Sequence, residues 1–150
     1  MPDYSNYLTR STEDRLGVFD FNLYEKPEYE DALEDKGPME LDNGAVYFGQ
    51  WSKKTGHREG RGTQIWKDGA KYTGYWRADK ANGKGRLIHP DGDVYQGDWI
   101  NDKAHGNGTY EHMDGAKYIG GWVEDKQHGF GIEIWRDNAK YEGIYEEGRK

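Results

Sequence analysis

Histidines and acidic residues are the side chains of this chain that could bind a metal or transfer protons. His105 and His128 each precede a glycine, while His89 and His112 lie 23 residues apart at one position of a repeated pattern. Equivalent positions on neighbouring hairpins of a sheet are about 10 Å apart, too far to share one zinc ion. We therefore predict no metal site and no cofactor, and interpret these histidines as surface residues.

The recurring carboxylates stand beside lysines. Asp79, Asp102 and Asp125 are each followed directly by a lysine, which is typical of solvated turns and not of a catalytic acid and base. The chain has no cysteine, and no Ser-His-Asp grouping can be argued. Its Gly-x-Gly pairs are not followed by a predicted helix that could hold a dinucleotide phosphate. The sequence therefore predicts no enzyme activity and no small-molecule substrate.

One basic cluster could contact a membrane. It consists of Lys53, Lys54, Arg58 and Arg61, together with His57, in and around one connector. Each base near an anionic leaflet contributes about 1 kcal/mol to binding. Two interpretations stay open for this cluster, a contact with anionic phospholipids and a solvated loop.

A repeat positions all of these residues. A Tyr-x-Gly-x-Trp pentad, with Tyr for Trp in its last copy, recurs in steps of 25, 23, 23 and 23 residues. Such a constant step indicates a repeat architecture. The pentads begin at Tyr47, Tyr72, Tyr95, Tyr118 and Tyr141.

Each complete copy predicts a β-hairpin. Large rings alternate with polar residues in the pentad, which is a strand pattern, and a second strand follows a Gly-x-Gly pair. In the third copy we expect Ile100 to His105 to form the connector, and Asp114-Gly115 to turn the chain into the next pentad. Glycine normally weakens a strand, so we expect Tyr and Trp rings of neighbouring strands to lie across these glycines.

On these pentads and Gly-x-Gly pairs, the chain resembles the MORN (membrane occupation and recognition nexus) repeat family from Tyr47 onward. Four copies carry both motifs, and the fifth ends before its second strand. The resemblance implies an all-β fold, an elongated single-layer antiparallel sheet with a shallow aromatic groove. It also implies a non-catalytic role in attachment to proteins or membrane surfaces, in settings such as cilia, cytoskeletal structures and membrane junctions.

Composition supports a thin sheet with an acidic arm. The mean hydropathy is −1.20, 15% of residues are aromatic, and there are 22 glycines. Residues 1–41 contain four bases and eleven acids, so the whole net charge of −7 lies there and the repeats are neutral. A neutral repeat surface excludes nucleic acid as a partner. The absence of cysteine, of an apparent signal peptide and of a long apolar run predicts a cytoplasmic protein, neither secreted nor transmembrane.

We divide the chain into an acidic arm (1–35), a degenerate half-repeat cap (36–44) and the repeats (45–150). The arm is interpreted as an extended segment that docks on something, with a short helix over Pro27 to Glu34, or as a disordered tail. Gly37 and Gly44 have the spacing of the later glycines, so Lys36 to Leu41 is predicted to begin the sheet. The strand at Tyr141 and Tyr145 is then an open edge, and two interpretations stay open: the array continues beyond it, or a partner strand binds there.

The second strands carry the candidate site. Their side chains on the ring side of the sheet vary between copies, and variable residues on a constant frame are where repeat proteins place specificity. We predict a groove that binds a helix or extended peptide of another protein, unless the arm occupies it. Its residues are Trp66, Leu87, His89, Tyr110, His112 and Trp135.

The predicted function is a scaffold within a larger protein assembly, cytoskeletal or ciliary (axonemal). Two alternatives stay open. One is a membrane-surface module that binds anionic phospholipids, and the other is the regulatory part of a larger lipid kinase or methyltransferase.

Overall fold

The computed structural model describes residues 1–29 and 32–149. Helix α1 (Tyr7–Leu16) and a 3-10 turn (Phe21–Leu23) precede ten antiparallel strands, which follow one another across one sheet in chain order. The all-β, single-layer fold expected from the repeat is confirmed. The strands are β1 (Leu33–Glu40), β2 (Val46–Ser52), β3 (Arg58–Ile65), β4 (Lys71–Arg77), β5 (Lys80–Ile88), β6 (Val94–Ile100), β7 (Lys103–Glu111), β8 (Lys117–Val123), β9 (Lys126–Ile134) and β10 (Lys140–Tyr145).

The sheet begins with an irregular strand. β1 pairs with β2 from Leu33↔Ser52 to Glu40↔Val46, and its register shifts between Lys36 and Met39, around Pro38. A proline removes one ladder donor, so a bulge at an edge strand is where it is tolerated. β1 starts earlier than the strand expected from Lys36, and the division of the chain into three units stays a prediction.

Two kinds of turn join the strands. Between β6 and β7 the chain turns on Asn101 and Asp102, both with positive φ (49° and 70°), so the six-residue connector predicted over 100–105 is wrong. A two-residue turn with positive φ at both positions has the same twist as the two strands of a hairpin. The residues that follow it therefore pair as part of the next strand. Between repeats an Asp or Asn accepts a hydrogen bond from the N–H two residues later, as Asp114 does from Ala116 at 2.9 Å. The intervening residue has positive φ, even where Asn138 (69°) replaces glycine.

Glycines form a continuous row across the middle of nine strands. Each pentad glycine pairs with the second glycine of a Gly-x-Gly pair, as in Gly74↔Gly85 and Gly85↔Gly97. A Cβ on Gly74 would stand 2.6 Å from both the Lys84 carbonyl oxygen and the Tyr72 hydroxyl. The row runs through Gly49, Gly62, Gly74, Gly85, Gly97, Gly108, Gly120, Gly131 and Gly143.

The two faces of the sheet differ. We call the face that carries the pentad rings the ring face, and the opposite face the arm face. The arm face includes Arg61, Thr63, Lys71, Thr73, Tyr75, Lys84, Arg86 and Gln96, which alternate along the strands with ring-face residues.

Residues 1–29 pack on the arm face. The Thr9 hydroxyl donates to the Gly69 carbonyl at 2.9 Å, and Phe21 meets Tyr75 edge-on at 5.2 Å. Phe19 is only 3% exposed and stacks on Tyr24. The chain's own arm therefore lies neither in the predicted groove nor free of the sheet.

Charge complementarity holds the arm in place. Lys71 forms an ion pair with Glu13 at 2.8 Å. The Arg86 guanidinium donates to the Gly17 carbonyl at 2.6 Å and lies 5.8 Å from the Phe19 ring centroid. Burial lowers the pKa of this guanidinium. An acidic arm thus meets bases that protrude from the first repeats.

The arm helix differs in place from the prediction. Pro27–Tyr29 is not helical and Leu33 and Glu34 belong to β1, while residues 30 and 31 lie outside the described residues. α1 is capped instead by Asn6, whose side chain accepts from the Thr9 N–H, and by Gly17 at φ 82°. These caps were readable in the sequence, because an asparagine before and a glycine after a segment mark helix ends. No helix within residues 1–29 and 32–149 has the length and apolarity needed to span a bilayer.

Candidate functional site: the ring face

The pentad rings form one zigzag row along the ring face. Nine successive edge-to-face pairs join them, with centroids 4.9 to 5.5 Å apart and interplanar angles of 76 to 90°. This is the preferred geometry of aromatic pairs, worth about 0.5 to 1.5 kcal/mol each beyond area burial. The order of the rings is Trp51, Tyr47, Trp76, Tyr72, Trp99, Tyr95, Trp122, Tyr118, Tyr145, Tyr141.

Hydrogen bonds fix each ring over a glycine. The Tyr95 hydroxyl donates to the Asp98 carbonyl at 2.8 Å, and its ring occupies the space of a Cβ on Gly108. The Trp99 indole N–H donates to the Gly85 carbonyl of the preceding hairpin at 3.0 Å. Burial raises the pKa of Tyr95 above its ordinary value. The pentad rings are therefore structural, as the sequence indicated.

The two glycines of a Gly-x-Gly pair have different roles, which the sequence did not separate. The second glycine, Gly85 in one copy, accommodates the Tyr72 ring. The first, Gly83, has φ 99° where β5 carries a bulge opposite the stretch from Gly74 to Trp76. Glycine is required there for its backbone conformation.

The predicted groove residues lie on the ring face beside this row. Trp66, Leu87, His89, Tyr110 and Trp135 are half-buried and His112 is exposed. The structure brings three of them together: Tyr110 lies 4.8 Å from His112 and 6.0 Å from His89 between ring centroids. None of the described arm contacts reaches these side chains.

Asp93 anchors this aromatic group. Its Oδ2 accepts from the Tyr110 hydroxyl at 2.8 Å and lies 3.3 Å from His112 Nδ1, while its Oδ1 accepts from the Met113 N–H at 2.9 Å. Partial burial alone would raise the pKa of Asp93, but these hydrogen bonds outweigh it and the pKa is lowered. Asp93 was not among the predicted site residues, because only the fold brings it to Tyr110.

A cavity of about 330 Å³ opens in the ring face between the second and third pentads. Trp66 and Leu87 line it, together with Trp76 and Trp99 from the ring row. Arg58 also lines it, with its Cζ 4.7 Å from the Trp76 centroid and its Nε 3.2 Å from Asp79 Oδ1. Asp102 lines the same cavity.

The structure splits the predicted basic cluster. Arg58 lies on the ring face over Trp76, whereas Arg61 lies on the arm face, 4.9 Å from the Phe21 ring. Successive strand residues point to opposite faces, and these two bases are three positions apart. Lys53 and Lys54 are exposed in the connector. The four bases therefore do not form one patch, and no structural observation favours lipid binding.

At the open edge β10, the described backbone is unpaired on one side while a tyrosine side chain is buried. Among the described residues β10 pairs only with β9, so one side of its backbone ladder is unpaired. Tyr145 is 1% exposed, meets Tyr118 edge-to-face and donates to Glu133 Oε1 at 2.8 Å, whereas Tyr141 is half-buried. Any partner at this edge would meet backbone groups and Tyr141 more than the Tyr145 ring.

The recurring connector acids have a structural role that sequence reasoning missed. The Asp102 N–H donates to the Ala81 carbonyl at 3.0 Å, and Asp102 Oδ1 accepts from the Ala81 N–H at 2.7 Å. Asp79 and Asp125 make the same reciprocal bonds with Arg58 and Ala104. In the part of the chain that the structure describes, no three His, Asp or Glu side chains come together as metal ligands.

Comparison with known families agrees with the repeat. The family model of the MORN repeat matches four consecutive segments, at residues 47–71, 72–94, 95–117 and 118–140. No curated protein sequence matches the chain. Among solved structures, the chain is similar to the SAS-4 (dCPAP) TCP domain of Drosophila melanogaster in complex with a proline-rich motif of Ana2 (dSTIL). The two share 11% identity at a TM-score of 0.40, over 72% of this chain and 71% of that one. A likeness this slight carries no inference about fold or function.

Proposed function

Because the chain belongs to the MORN repeat family, we propose that it is a non-catalytic scaffold that holds a segment of another protein against its ring face. The observation that carries this proposal is the position of the arm. Residues 1–29 pack on the opposite face, from β3 to β7, while the ring face, with its half-buried Trp66, Leu87 and Tyr110, has no described segment over it. Half-buried aromatic side chains contribute much of the binding free energy of protein interfaces.

The occupant we propose is an apolar segment that also carries positive charge. Asp102 and Asp125 lie along the ring row and form no ion pair within residues 1–29 and 32–149. A partner that brought cations to these carboxylates and apolar side chains to Trp66, Leu87 and Trp135 would match both features of the face. The segment is either a helix or an extended peptide.

The setting we propose is a cytoskeletal or ciliary assembly. Its support is the family resemblance alone. Expression of a tagged chain in ciliated cells tests it: enrichment along axonemes or cortical cytoskeleton that persists after detergent extraction supports this location, and a diffuse distribution that detergent extraction removes counts against it.

Site-specific photo-crosslinking tests the binding proposal. A photoreactive phenylalanine analogue is placed at Leu87 or Trp135 on the ring face, and in a control protein at exposed Ile119 on the opposite face. The proposal predicts that both ring-face positions link to the same protein, through one segment of it, and that the Ile119 control does not. Equal crosslinking from both faces, or none from the ring face, would count against it.

A further inference from the structure

Four tryptophans of the ring row differ in what lies over their rings. Lys36 Nζ stands 5.7 Å from the Trp51 centroid, and Arg58 Cζ stands 4.7 Å from the Trp76 centroid. Within the described residues, Trp99 and Trp122 have no cation over them. The first half of the row is thus occupied by the chain's own bases, and the second half is not.

The slot that Arg58 fills is well defined. Its guanidinium stacks on Trp76, its Nε donates to Asp79 Oδ1 at 3.2 Å, and its Nη2 donates to the Asp79 carbonyl at 2.8 Å. Trp76 is the least exposed of the four tryptophans at 2%. Its Nη1 also donates to Gln64 Oε1, so one aromatic face, one aspartate with its backbone carbonyl and one amide oxygen recognise a planar cation, which is the geometry that arginine prefers.

The next two copies keep the tryptophan and the aspartate of this slot but not the arginine, and Leu87 and Tyr110 stand at the position of Gln64, with Tyr110 6.4 Å from Trp122 between ring centroids. Ala81 and Ala104 occupy the position of Arg58, and their backbone N–H groups donate to Asp102 and Asp125 at 2.7 Å, as that of Arg58 does to Asp79 at 2.8 Å. The indoles are oriented alike, because each donates to a glycine carbonyl 14 residues earlier at 3.0 or 3.1 Å.

A cavity reaches the first of these slots. Trp99 and Trp122 are buried, 7% and 8% exposed, between Trp76 at 2% and Trp51 at 9%. The cavity of about 330 Å³ joins the filled slot to the first vacant one, since Arg58, Ala81, Trp99 and Asp102 all line it. A guanidinium from outside the chain can therefore approach the first vacant slot through this cavity.

We propose that the Trp99–Asp102 and Trp122–Asp125 slots bind two arginine side chains of the partner segment. This inference rests on the proposed function and specifies its ligand. The slots are two strand spacings apart, about 10 Å. Arginines three residues apart in a polyproline II segment, with three residues per turn and a rise of about 3.1 Å per residue, lie on one side with this spacing, as do arginines seven apart in a helix.

Filling the first slot from within the chain tests whether it accepts arginine. Ala81→Arg is compared with Ala81→Met, which adds volume without charge, each with and without Asp102→Asn, by denaturant unfolding. The slot predicts that Asp102→Asn lowers the folding equilibrium constant of the arginine variant about five-fold more than that of the methionine variant. If Asp102→Asn lowers the folding equilibrium constant equally in the Ala81→Arg and Ala81→Met proteins, the proposal is overturned.

A peptide probe tests binding directly. The probe is a fluorescent peptide, Gly-Ser-Arg-Leu-Gly-Arg-Leu-Ser-Gly, and its control has citrulline, the neutral isostere, in place of both arginines. We expect the arginine peptide to bind wild type about ten-fold more tightly than the citrulline peptide. We expect both Ala81→Arg and Asp102→Asn to remove most of that difference.

Three results would overturn the inference. They are equal binding of the two peptides, unchanged binding by Ala81→Arg, and no binding of the arginine peptide at about 1 mM. None of them bears on the ring face as a protein-binding surface, which is judged by crosslinking at Leu87 and Trp135. A ring-face crosslink with arginine-independent peptide binding would leave the proposed function standing and remove only its ligand.

Discussion

The Tyr95 ring lies across Gly108 of the neighbouring strand, so closely that a Cβ on this glycine would stand 2.5 Å from Tyr95 Cζ. The same contact recurs between Tyr47 and Gly62, Tyr72 and Gly85, and Tyr118 and Gly131. A sheet with no second layer over its ring face thus buries its tyrosines against its own backbone. The first predictions follow from this packing.

Gly108→Ala should destabilise the sheet strongly. The added methyl must displace a rigid phenol that is also held by its hydrogen bond to the Asp98 carbonyl. Overpacking of this kind costs about 1 to 3 kcal/mol. The control is Gly37→Ala, because Gly37 has no atom within 4 Å of an added Cβ and no positive φ. Denaturant unfolding measures both, and equal losses of stability would contradict the packing argument.

Trp99→Phe should cost more stability than Trp51→Phe. Both changes shrink an aromatic ring, but only Trp99 donates its indole N–H, to the Gly85 carbonyl at 3.0 Å. The Trp51 indole N–H has no hydrogen-bond partner among the described residues. We expect a difference of about 1 kcal/mol in the free energy of unfolding. A larger loss from Trp51→Phe would show that ring size, and not this hydrogen bond, sets the cost.

Phe19→Ala should loosen the arm from the sheet. The ring is 3% exposed, stacks on Tyr24 at 5.5 Å and lies beneath Arg86. Removal of a buried phenylalanine costs at most about 3 to 5 kcal/mol of folding free energy. Here part of that loss lowers only the stability of the docked arm and not that of the sheet. Hydrogen exchange of residues 1–29 should therefore rise more than that of the later strands. Val18→Ala, at an 80% exposed neighbour, is the control and should change neither.

Alkaline pH should unfold the protein cooperatively. The pKa values of the buried tyrosines are raised by burial, and that of Tyr29 reaches about 12. A tyrosine with a raised folded pKa contributes stability that is complete below its unfolded pKa, about 10, and is lost as pH rises through the folded value. The others with raised pKa are Tyr47, Tyr72, Tyr95, Tyr110, Tyr118 and Tyr145.

Tyrosinate absorbance and circular dichroism, followed together, check this prediction. The buried tyrosines should ionise in the same step in which strand signal is lost, above pH of about 10. Complete ionisation with an intact strand signal would contradict the burial of these rings.

The local architecture was predictable because every determinant of it is close in sequence. The 23-residue step, the alternation of Tyr95, Gly97 and Trp99, and the turn at Gly115 each act within one hairpin or between neighbours. The tight turn at Asn101 and Asp102 was missed because their polarity suggested a longer connector, although two residues with positive φ suffice.

The position of the arm was not predictable in the same way. It depends on the contact of Glu13 with Lys71 and on the contacts of Gly17 and Phe19 with Arg86. The paired residues are 58 to 69 positions apart, and the arm residues belong to no repeat. The available signal was the acidic excess of residues 1–41 beside bases on the polar side of β3, β4 and β5. Charge balance alone does not say which partner an arm selects.

The sequence by itself determined a one-layer sheet of ten strands with a continuous row of rings, because nearest-neighbour hydrogen bonds and ring packing repeat with the motif. Only the tertiary structure decided on which face the arm packs, that Arg58 and Arg61 lie on opposite faces, and that Arg58 lies over Trp76 while no described cation lies over Trp99 or Trp122. Those outcomes depend on side chains that differ between copies and meet only when the sheet has formed.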